Sequence, residues 1–314
     1  MKLVVQIPCL NEEATLADVL SSIPDKVEGI DEIEILVIDD GSTDDTLKIA
    51  RQHGVKHFVH HTRNQGLGRS FHDGIQKSLE MGADIVVNTD GDNQYPQDRI
   101  GDLVQPILHG QADIVIADRQ THTIEHFSLT KKLLQRVGSH VVNKAAGTTV
   151  PDAASGFRAY SRESLIRLNT ITRFSYCTET IIQAGNKGLH LASIPITTNP
   201  PARASRLFKS TTEHVLKSAI TITRAFIMYK PYIIFGGASL VLFLAGIIPF
   251  FRFFILSFED GTYRGHIQSL LIGTLLLIAA LLCLALNVIA DLIRINRILI
   301  EDTLEMSKRQ RYGG

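Results

Sequence analysis

The chemistry-bearing residues of this chain are mostly carboxylates placed where apolar runs end. Asp90-Gly91-Asp92-Asn93-Gln94-Tyr95-Pro96 follows Ile85–Asn88. In extended backbone, residues i and i+2 point the same way, so Asp90 and Asp92 can face one ion. Hard oxygen ligands of this kind, with Gln94 beside them, suit Mg²⁺ or Mn²⁺ bridging a diphosphate. With 19 aspartates in 314 residues an Asp-x-Asp spacing arises by chance about once, so its context at a strand end carries the weight. Asp39-Asp40-Gly41-Ser42-Thr43-Asp44 closes another apolar run. Ser42 or Thr43 can cap a following helix, and Asp44-Asp45 suit its positive end. Capping does not account for Asp39 and Asp40, where a carboxylate could accept from a base N–H or a ribose hydroxyl.

Other clusters are weaker alone. Arg63-Asn64-Gln65-Gly66-Leu67-Gly68 lacks the third glycine of a dinucleotide fingerprint and reads as a tight loop with close backbone approach. His53, His57, His60 and His61 fall across a helix end and an alternating strand, with no Cys or Asp completing a metal-ligand set. Asp152-Ala153-Ala154-Ser155-Gly156-Phe157-Arg158 reads as a turn leading into a strand. Arg203, Arg206 and Lys209 lie on a loop, suited to anionic lipid head groups or to phosphate held at a membrane surface.

Clusters at run ends need a scaffold that aligns them. Leu3–Pro8, Glu34–Asp39, Val55–His60, Asp84–Asn88 and Asp113–Asp118 read as strands, while residues 12–22, 44–53, 68–81 and 97–109 show helical spacing. That alternation predicts an α/β fold with a parallel sheet covered by helices. Ligands of such sheets sit at the carboxyl edge, so the acidic clusters converge on one rim. Residues 127–208 continue with a basic helix (Lys131, Lys132, Arg136, Lys144), a turn-rich stretch, a helix around 176–187 and the strand Leu189–Ile194. Asn199-Pro200-Pro201 marks a loop.

Lys+Arg and Asp+Glu number 32 each, and this zero balance argues against a nucleic-acid binder. The charges are unevenly spread. Residues 231–290 hold only Arg252, Glu259, Asp260 and Arg264. Tyr232–Phe251 is 20 residues without a charge and Ile267–Ala290 is 24, each long enough to span a hydrocarbon core of about 30 Å. The eight-residue link Glu259–His266 makes them a helical hairpin. Residues 209–230 look amphipathic and read as a helix lying in the membrane interface. Lys217, Arg224 and Lys230 precede the hairpin, and Arg294 and Arg297 follow it, placing the first domain and both termini in the cytosol. Three scattered cysteines and no visible secretory signal agree with that compartment. The expected organisation is a catalytic domain over 1–208, a juxtamembrane helix over 209–230, a hairpin over 231–290 and a cytosolic tail over 291–314.

Together the motifs resemble the family 2 glycosyltransferases of GT-A fold, and within them the polyprenyl-phosphate glycosyltransferases of the dolichyl-phosphate mannose synthase type. The resemblance rests on Pro8-x-x-Asn11-Glu12, Asp39-Asp40-Gly41-Ser42, Asn64-x-Gly66-Leu67-Gly68, Asp90-x-Asp92-x-Gln94-x-Pro96 and Ser155-Gly156-Phe157-Arg158, in the family's order over roughly residues 1–160. It implies a Rossmann-like, mostly parallel sheet. It implies that Pro8, Asn11, Glu12 and Asp39, with Asp40 and Gly66, bind the nucleotide sugar, and that Arg203, Arg206 and Lys209 close over the donor. Asp90, Asp92 and Gln94 would hold the metal, Arg119 and Lys131 would grip the acceptor phosphate, and Asp152 joins the catalytic set. Leu10 departs from the pattern where an aromatic residue is frequent, and Gln135 where a small hydroxyl residue is.

The implied reaction is inverting sugar transfer from a nucleotide diphosphate to a polyprenyl phosphate in the bilayer. A phosphate acceptor is mostly ionised near pH 7, with a second pKa of about 6, and needs no strong general base. Transfer to a lipid hydroxyl is the enzymatic alternative, and would need a base such as Asp152 or Glu179. A non-catalytic nucleotide-sugar-binding membrane component is the other alternative, although it would not need the metal cluster. A processive polysaccharide synthase is disfavoured, because its Gln-x-x-Arg-Trp motif cannot occur in a chain without tryptophan. The sequence leaves homo-oligomerisation, the donor base and the sugar open.

Overall fold

Lys2–Cys9 forms strand β1, whose residues from Leu3 onward are buried on both faces. That is the pattern of a central strand covered by helices on each side. The structure, a computed structural model, describes residues 1–121, 129–170, 176–200, 220, 223, 227–260 and 267–313. It divides into two compact units, Met1–Ile222 with Thr303–Gly314, and Thr223–Asp302.

In the first unit β1 is followed by α1 (Leu16–Ser22), β2 (Glu32–Asp39), α2 (Thr46–Gln52), β3 (His57–His60), α3 (Leu67–Glu80), β4 (Ile85–Asn88) and α4 (Ile100–Leu108). Then come β5 (Ile114–Asp118), α5 (Leu129–Ala146), β6 (Arg158–Ser161), α6 (Arg162–Arg167), α7 (Tyr176–Asn186) and β7 (Leu191–Pro195). The seven strands lie in the order β3-β2-β1-β4-β6-β5-β7. Only β6 runs antiparallel, between β4 and β5. The chain moves outward from β1 to β2 and β3, then returns to β4 on the other side of β1. This reversal opens a crevice at the carboxyl ends of β1 and β4.

One face of the sheet buries Leu3, Val5 and Ile7 against Leu16 and Val19 of α1 and Ile100, Leu103 and Val104 of α4. On the other face, Phe71 of α3 stacks on Tyr176 of α7 with ring centroids 3.8 Å apart. Burial on this scale, at about 25 cal/mol per Å² of apolar surface, holds the strand ends in place.

Residues 303–314 also belong to this unit. Lys308 Nζ donates to the carbonyls of Leu168 (2.6 Å) and Leu165 (3.4 Å), carbonyls left open where α6 ends. Arg311 pairs with Glu80 at 2.8 Å, Arg309 pairs with Glu163, and Arg162 donates to the carbonyl of Tyr312.

The second unit contains a π-helical turn, Tyr232–Gly236, running into α8 (Gly237–Asp260), and most of α9 (Ile267–Tyr312). The two helices run antiparallel: Ser239 Oγ donates to the carbonyl of Ala280 (2.9 Å), while a Cβ added to Gly273 would lie 2.6 Å from the Phe250 ring and 3.0 Å from the Gly246 carbonyl. Small residues at such a crossing let helices approach closely. Leu240, Val241, Ile248, Leu275 and Leu281 are exposed. A core helix of a soluble domain would cover such side chains, so both helices are long, apolar and outward-facing, as in a membrane protein.

Candidate active site

Three loops meet at the crevice and are bolted together by side chains. After β1, the Asn11 N–H donates to Ser42 Oγ (2.9 Å) and Asn11 Oδ1 accepts from the Thr43 N–H (2.8 Å), joining this loop to the one after β2. The Glu12 N–H donates to Thr46 Oγ1 (2.8 Å). Thr15 Oγ1 donates to the carbonyl of Gly91 (2.7 Å), joining the first loop to the Asp90–Asp92 turn. Pro8 is buried in β1, in register with Ile38.

The two aspartates ending β2 have different partners. Asp39 is fully buried; it accepts from the Ser42 N–H at 2.9 Å and lies 2.7 Å from Nδ1 of His60, its register partner on β3. Asp40 accepts from the backbone N–H groups of Gln65 (2.8 Å) and Gly66 (2.9 Å), fixing the loop into α3, and lies 2.7 Å from Nδ1 of His61. Gly41 adopts φ +83°, and a Cβ there would meet the Arg63 carbonyl carbon at 2.8 Å. Only glycine tolerates both conditions.

Asp90 lies at the bottom of the crevice. Burial, and then the charge of Asp92, push its carboxyl up to about 7. Two carboxylates this close without a cation repel each other, and a divalent ion would relieve that, so the donor set fits one. Among the described residues no group of three or more His, Cys, Asp or Glu side chains converges. A metal here would therefore take two carboxylates from the protein and complete its shell with other oxygens, as Mg²⁺ does. Gln94 adjoins this pair, with Nε2 donating to Asp92 Oδ2 at 2.8 Å.

A buried polar chain runs beside Asp90. Gln6 donates to Asn88 Oδ1 (3.0 Å), its register partner. Asn88 Nδ2 donates to the Tyr176 hydroxyl (2.7 Å) and the Gly156 carbonyl (3.0 Å), and the Gly156 N–H donates to Tyr95 Oη (2.9 Å). A Cβ on Gly156 would lie 3.2 Å from Asp90 Oδ2 and 3.2 Å from the Tyr176 hydroxyl, so a side chain here would press on Asp90. Arg158 is fully buried and donates to the carbonyls of Ser155 (2.7 Å), Cys177 (2.9 Å) and Ala153 (3.0 Å). It holds the turn that carries Asp152.

Arg119 and Asp152 form a forked pair. Arg119 Nε donates to Oδ2 at 2.6 Å and Nη2 to Oδ1 at 3.0 Å. Burial would raise the Asp152 carboxyl, but the Arg119 charge and hydrogen bonds outweigh it and hold it below the usual range. The Asp152 oxygens are thus committed to a cation, poorly suited to take a proton. Glu179 is buried on α7 and accepts a long bond from Gln183 Nε2 (3.4 Å).

The crevice thus brings together Pro8, Asn11, Glu12, Asp39, Asp40, Gly66, Asp90, Asp92, Gln94, Arg119 and Asp152. Lys131 lies on α5 with its side chain outside the described residues, as are Arg203, Arg206 and Lys209 altogether. Sequence reasoning weighed His60 and His61 only as metal ligands, whereas their partners prove to be aspartates of the neighbouring strand end; it gave no role to Gln6, Asn88, Tyr95, Tyr176 or Arg158. Gln6 and Asn88 were visible as polar residues inside apolar strands, but their pairing requires the register.

Comparison with known proteins agrees with this geometry. The family described as Glycosyl transferase family 2 matches residues 4–168. The UDP-N-acetylglucosamine–dolichyl-phosphate N-acetylglucosaminyltransferase of Methanococcus voltae is 29% identical over 213 residues, covering 61% of this chain and 83% of its own. The polyprenol monophosphomannose synthase of Mycolicibacterium smegmatis is 27% identical over 204 residues, covering 62% and 76%. Among solved structures, glucosyl-3-phosphoglycerate synthase from Mycobacterium tuberculosis, in complex with Mn²⁺, UDP and glucosyl-3-phosphoglycerate, superposes with a TM-score of 0.55. It is 26% identical, over 70% of this chain and 79% of that one. A mostly parallel sheet with its acidic loops gathered at the switch point and a sequence match over more than half the chain lead to one assignment: this chain belongs to glycosyl transferase family 2.

Proposed function

We propose that the protein transfers a sugar from a nucleotide diphosphate donor to a polyprenyl phosphate in the bilayer, with inversion at the anomeric carbon. The observation that carries the choice of acceptor is the forked Arg119–Asp152 pair. A hydroxyl acceptor needs a general base, and the carboxylate best placed to serve is bound to a guanidinium. A phosphate monoester arrives already ionised, with a second pKa of about 6. The relatives named for dolichyl and polyprenol phosphates support the same reading.

In this mechanism Asp152 fixes the plane of Arg119 with two of its five N–H donors, and the remaining donors face the acceptor phosphate together with Lys131. The acceptor oxygen attacks the anomeric carbon as the bond to the leaving diphosphate breaks. Asp39 and the loops it ties hold the nucleotide; Arg203, Arg206 and Lys209, outside the described residues, are assigned by the resemblance to the donor. Asp90, Asp92 and Gln94 would hold Mg²⁺ or Mn²⁺, the neighbour's Mn²⁺ supporting a divalent ion of this kind. When bound, the ion neutralises charge growing on the leaving diphosphate. Positioning and electrostatics then supply the rate. The catalytic unit and both flanks of the hairpin face the cytosol.

The test is a panel of radiolabelled nucleotide sugars offered to purified protein in detergent with undecaprenyl phosphate, dolichyl phosphate, diacylglycerol or ceramide. Label in an acid-labile polyprenyl product is expected. Label only in a lipid alcohol would overturn the acceptor assignment. Metal-dependent nucleotide-sugar binding without turnover on any acceptor would favour a binding component instead.

A further inference from the structure

His61 is buried at the rim and has no part in the reaction described above. Its side chain is 6% exposed, with Nδ1 at 2.7 Å from Asp40 Oδ1 and Nε2 at 3.1 Å from Asp73 Oδ2. Asp40 comes from the end of β2, while Asp73 and its partner Arg69 (2.8 Å) come from α3. The ring thus bridges the two carboxylates, one at each nitrogen. Asp40 is also the residue that accepts from the Gln65 and Gly66 N–H groups. The order of contacts is therefore α3, Asp73, His61, Asp40, and then the loop 63–66, whose Arg63, Asn64 and Gln65 are exposed. Behind that loop there is no slack, because the Arg63 backbone lies against Gly41.

Stability alone explains this arrangement poorly. Buried ionic groups can often be exchanged for apolar ones with no loss of stability. Two carboxylates and a buried imidazole joined in one chain of contacts to this loop, beside Asp39, point to a requirement for its placement.

We infer that His61 is a positioning residue for donor binding: through Asp40 it holds the Arg63–Gly66 backbone in the conformation that receives the nucleotide. The inference rests on reading the Asp39 rim as the nucleotide site. The half of the ring facing Asp40 matters for binding, and the half facing Asp73 anchors the ring to α3.

Two substitutions divide the ring. The amide of His61→Asn reaches the position of Nδ1 and retains the Asp40 contact. That of His61→Gln reaches the position of Nε2 and retains only the Asp73 contact. Full-length wild type and variants in detergent are titrated calorimetrically with UDP and with GDP, each with Mn²⁺, and the nucleotide that wild type binds serves as the probe. His61→Gln is expected to weaken binding about tenfold, and His61→Asn to stay within about threefold of wild type. A purely structural staple would lower the unfolding temperature of both variants and leave their affinities equal. Equal affinities overturn the inference. Should His61→Gln fail to fold, amide exchange across residues 62–67 takes its place: Asp73→Asn must speed it and bound nucleotide must slow it. No change in either overturns the inference as well. Asp39→Asn is the control for the underlying reading. If it binds nucleotide as wild type does, the rim assignment fails whatever His61 does.

Discussion

Asp152 and Arg119 illustrate how little a residue's type says about its duty. The sequence offers Asp152 as a base candidate, whereas the structure commits both of its oxygens to Arg119. Asp152→Asn strands a mostly buried guanidinium, with an expected stability loss of about 3 kcal/mol and a fall in transfer of about 100-fold. The pH dependence has a definite sign. The Asp152 carboxyl is lowered from 3.8 in the folded state, so its stabilisation is present above the unfolded value and is lost as pH falls through the folded one. Chemical unfolding from pH 7 to pH 2.5 should show the gap between wild type and variant closing below about pH 4. Asp92→Asn should reduce transfer at saturating Mn²⁺ by 100-fold or more. Full activity in the purified variant would remove Asp92 from the metal set. The aspartates were legible because strand-end polar clusters stand out against apolar runs. The histidines were not, because His60 and His61 acquire meaning only from the β2–β3 register that sets them beside Asp39 and Asp40.

At the scale of elements, the strands and helices of the first 118 residues follow from alternation, since β1, β4 and most of β5 are apolar runs buried on both faces. β2 and β3, at the sheet's side, are only partly so. The direction of β6 does not follow from any local pattern. Arg158–Ser161 carries the same hydrophobic signal whether parallel or antiparallel, and its partners lie some 45 to 75 residues earlier. The placement of residues 303–314 was equally hidden. Residues 291–314 read only as a cytosolic tail, and the partners of Lys308, Arg309 and Arg311, namely Glu80, Glu163, Leu165 and Leu168, are at least 140 positions away. A chain ending at Asp302 should lose the cap on α6 and unfold several degrees lower in a thermal scan. Lys308→Met should account for most of that loss. Arg309→Ala and Arg311→Ala, which break exposed pairs, should change it by no more than about 1 kcal/mol each. An unchanged melting temperature in the truncated chain would show that the contacts carry no weight.

For the whole molecule, two uncharged runs of 20 and 24 residues made the hairpin legible, and the outward-facing side chains of α8 and α9 agree with it. Two passes return the chain to the side it left. Single cysteines introduced at Glu13 and Asp302 should therefore react with an impermeant maleimide from one and the same face, in inside-out vesicles for the cytosolic orientation proposed above, and one at Thr262 from the other. Labelling of Glu13 and Asp302 positions from opposite faces would rule out a hairpin. The docking of residues 303–314 onto a domain built from residues 1–222 has a further consequence in the order of synthesis. Synthesis makes the sheet first, then both apolar helices, and the segment that caps α6 only after them. A chain inserted with one pass instead of two would deliver that segment to the far side of the bilayer, leaving the α6 carbonyls and Glu80 uncovered. Covering of the α6 end by residues 303–314 thus requires that the two apolar helices bring the chain back to the side on which the sheet folded.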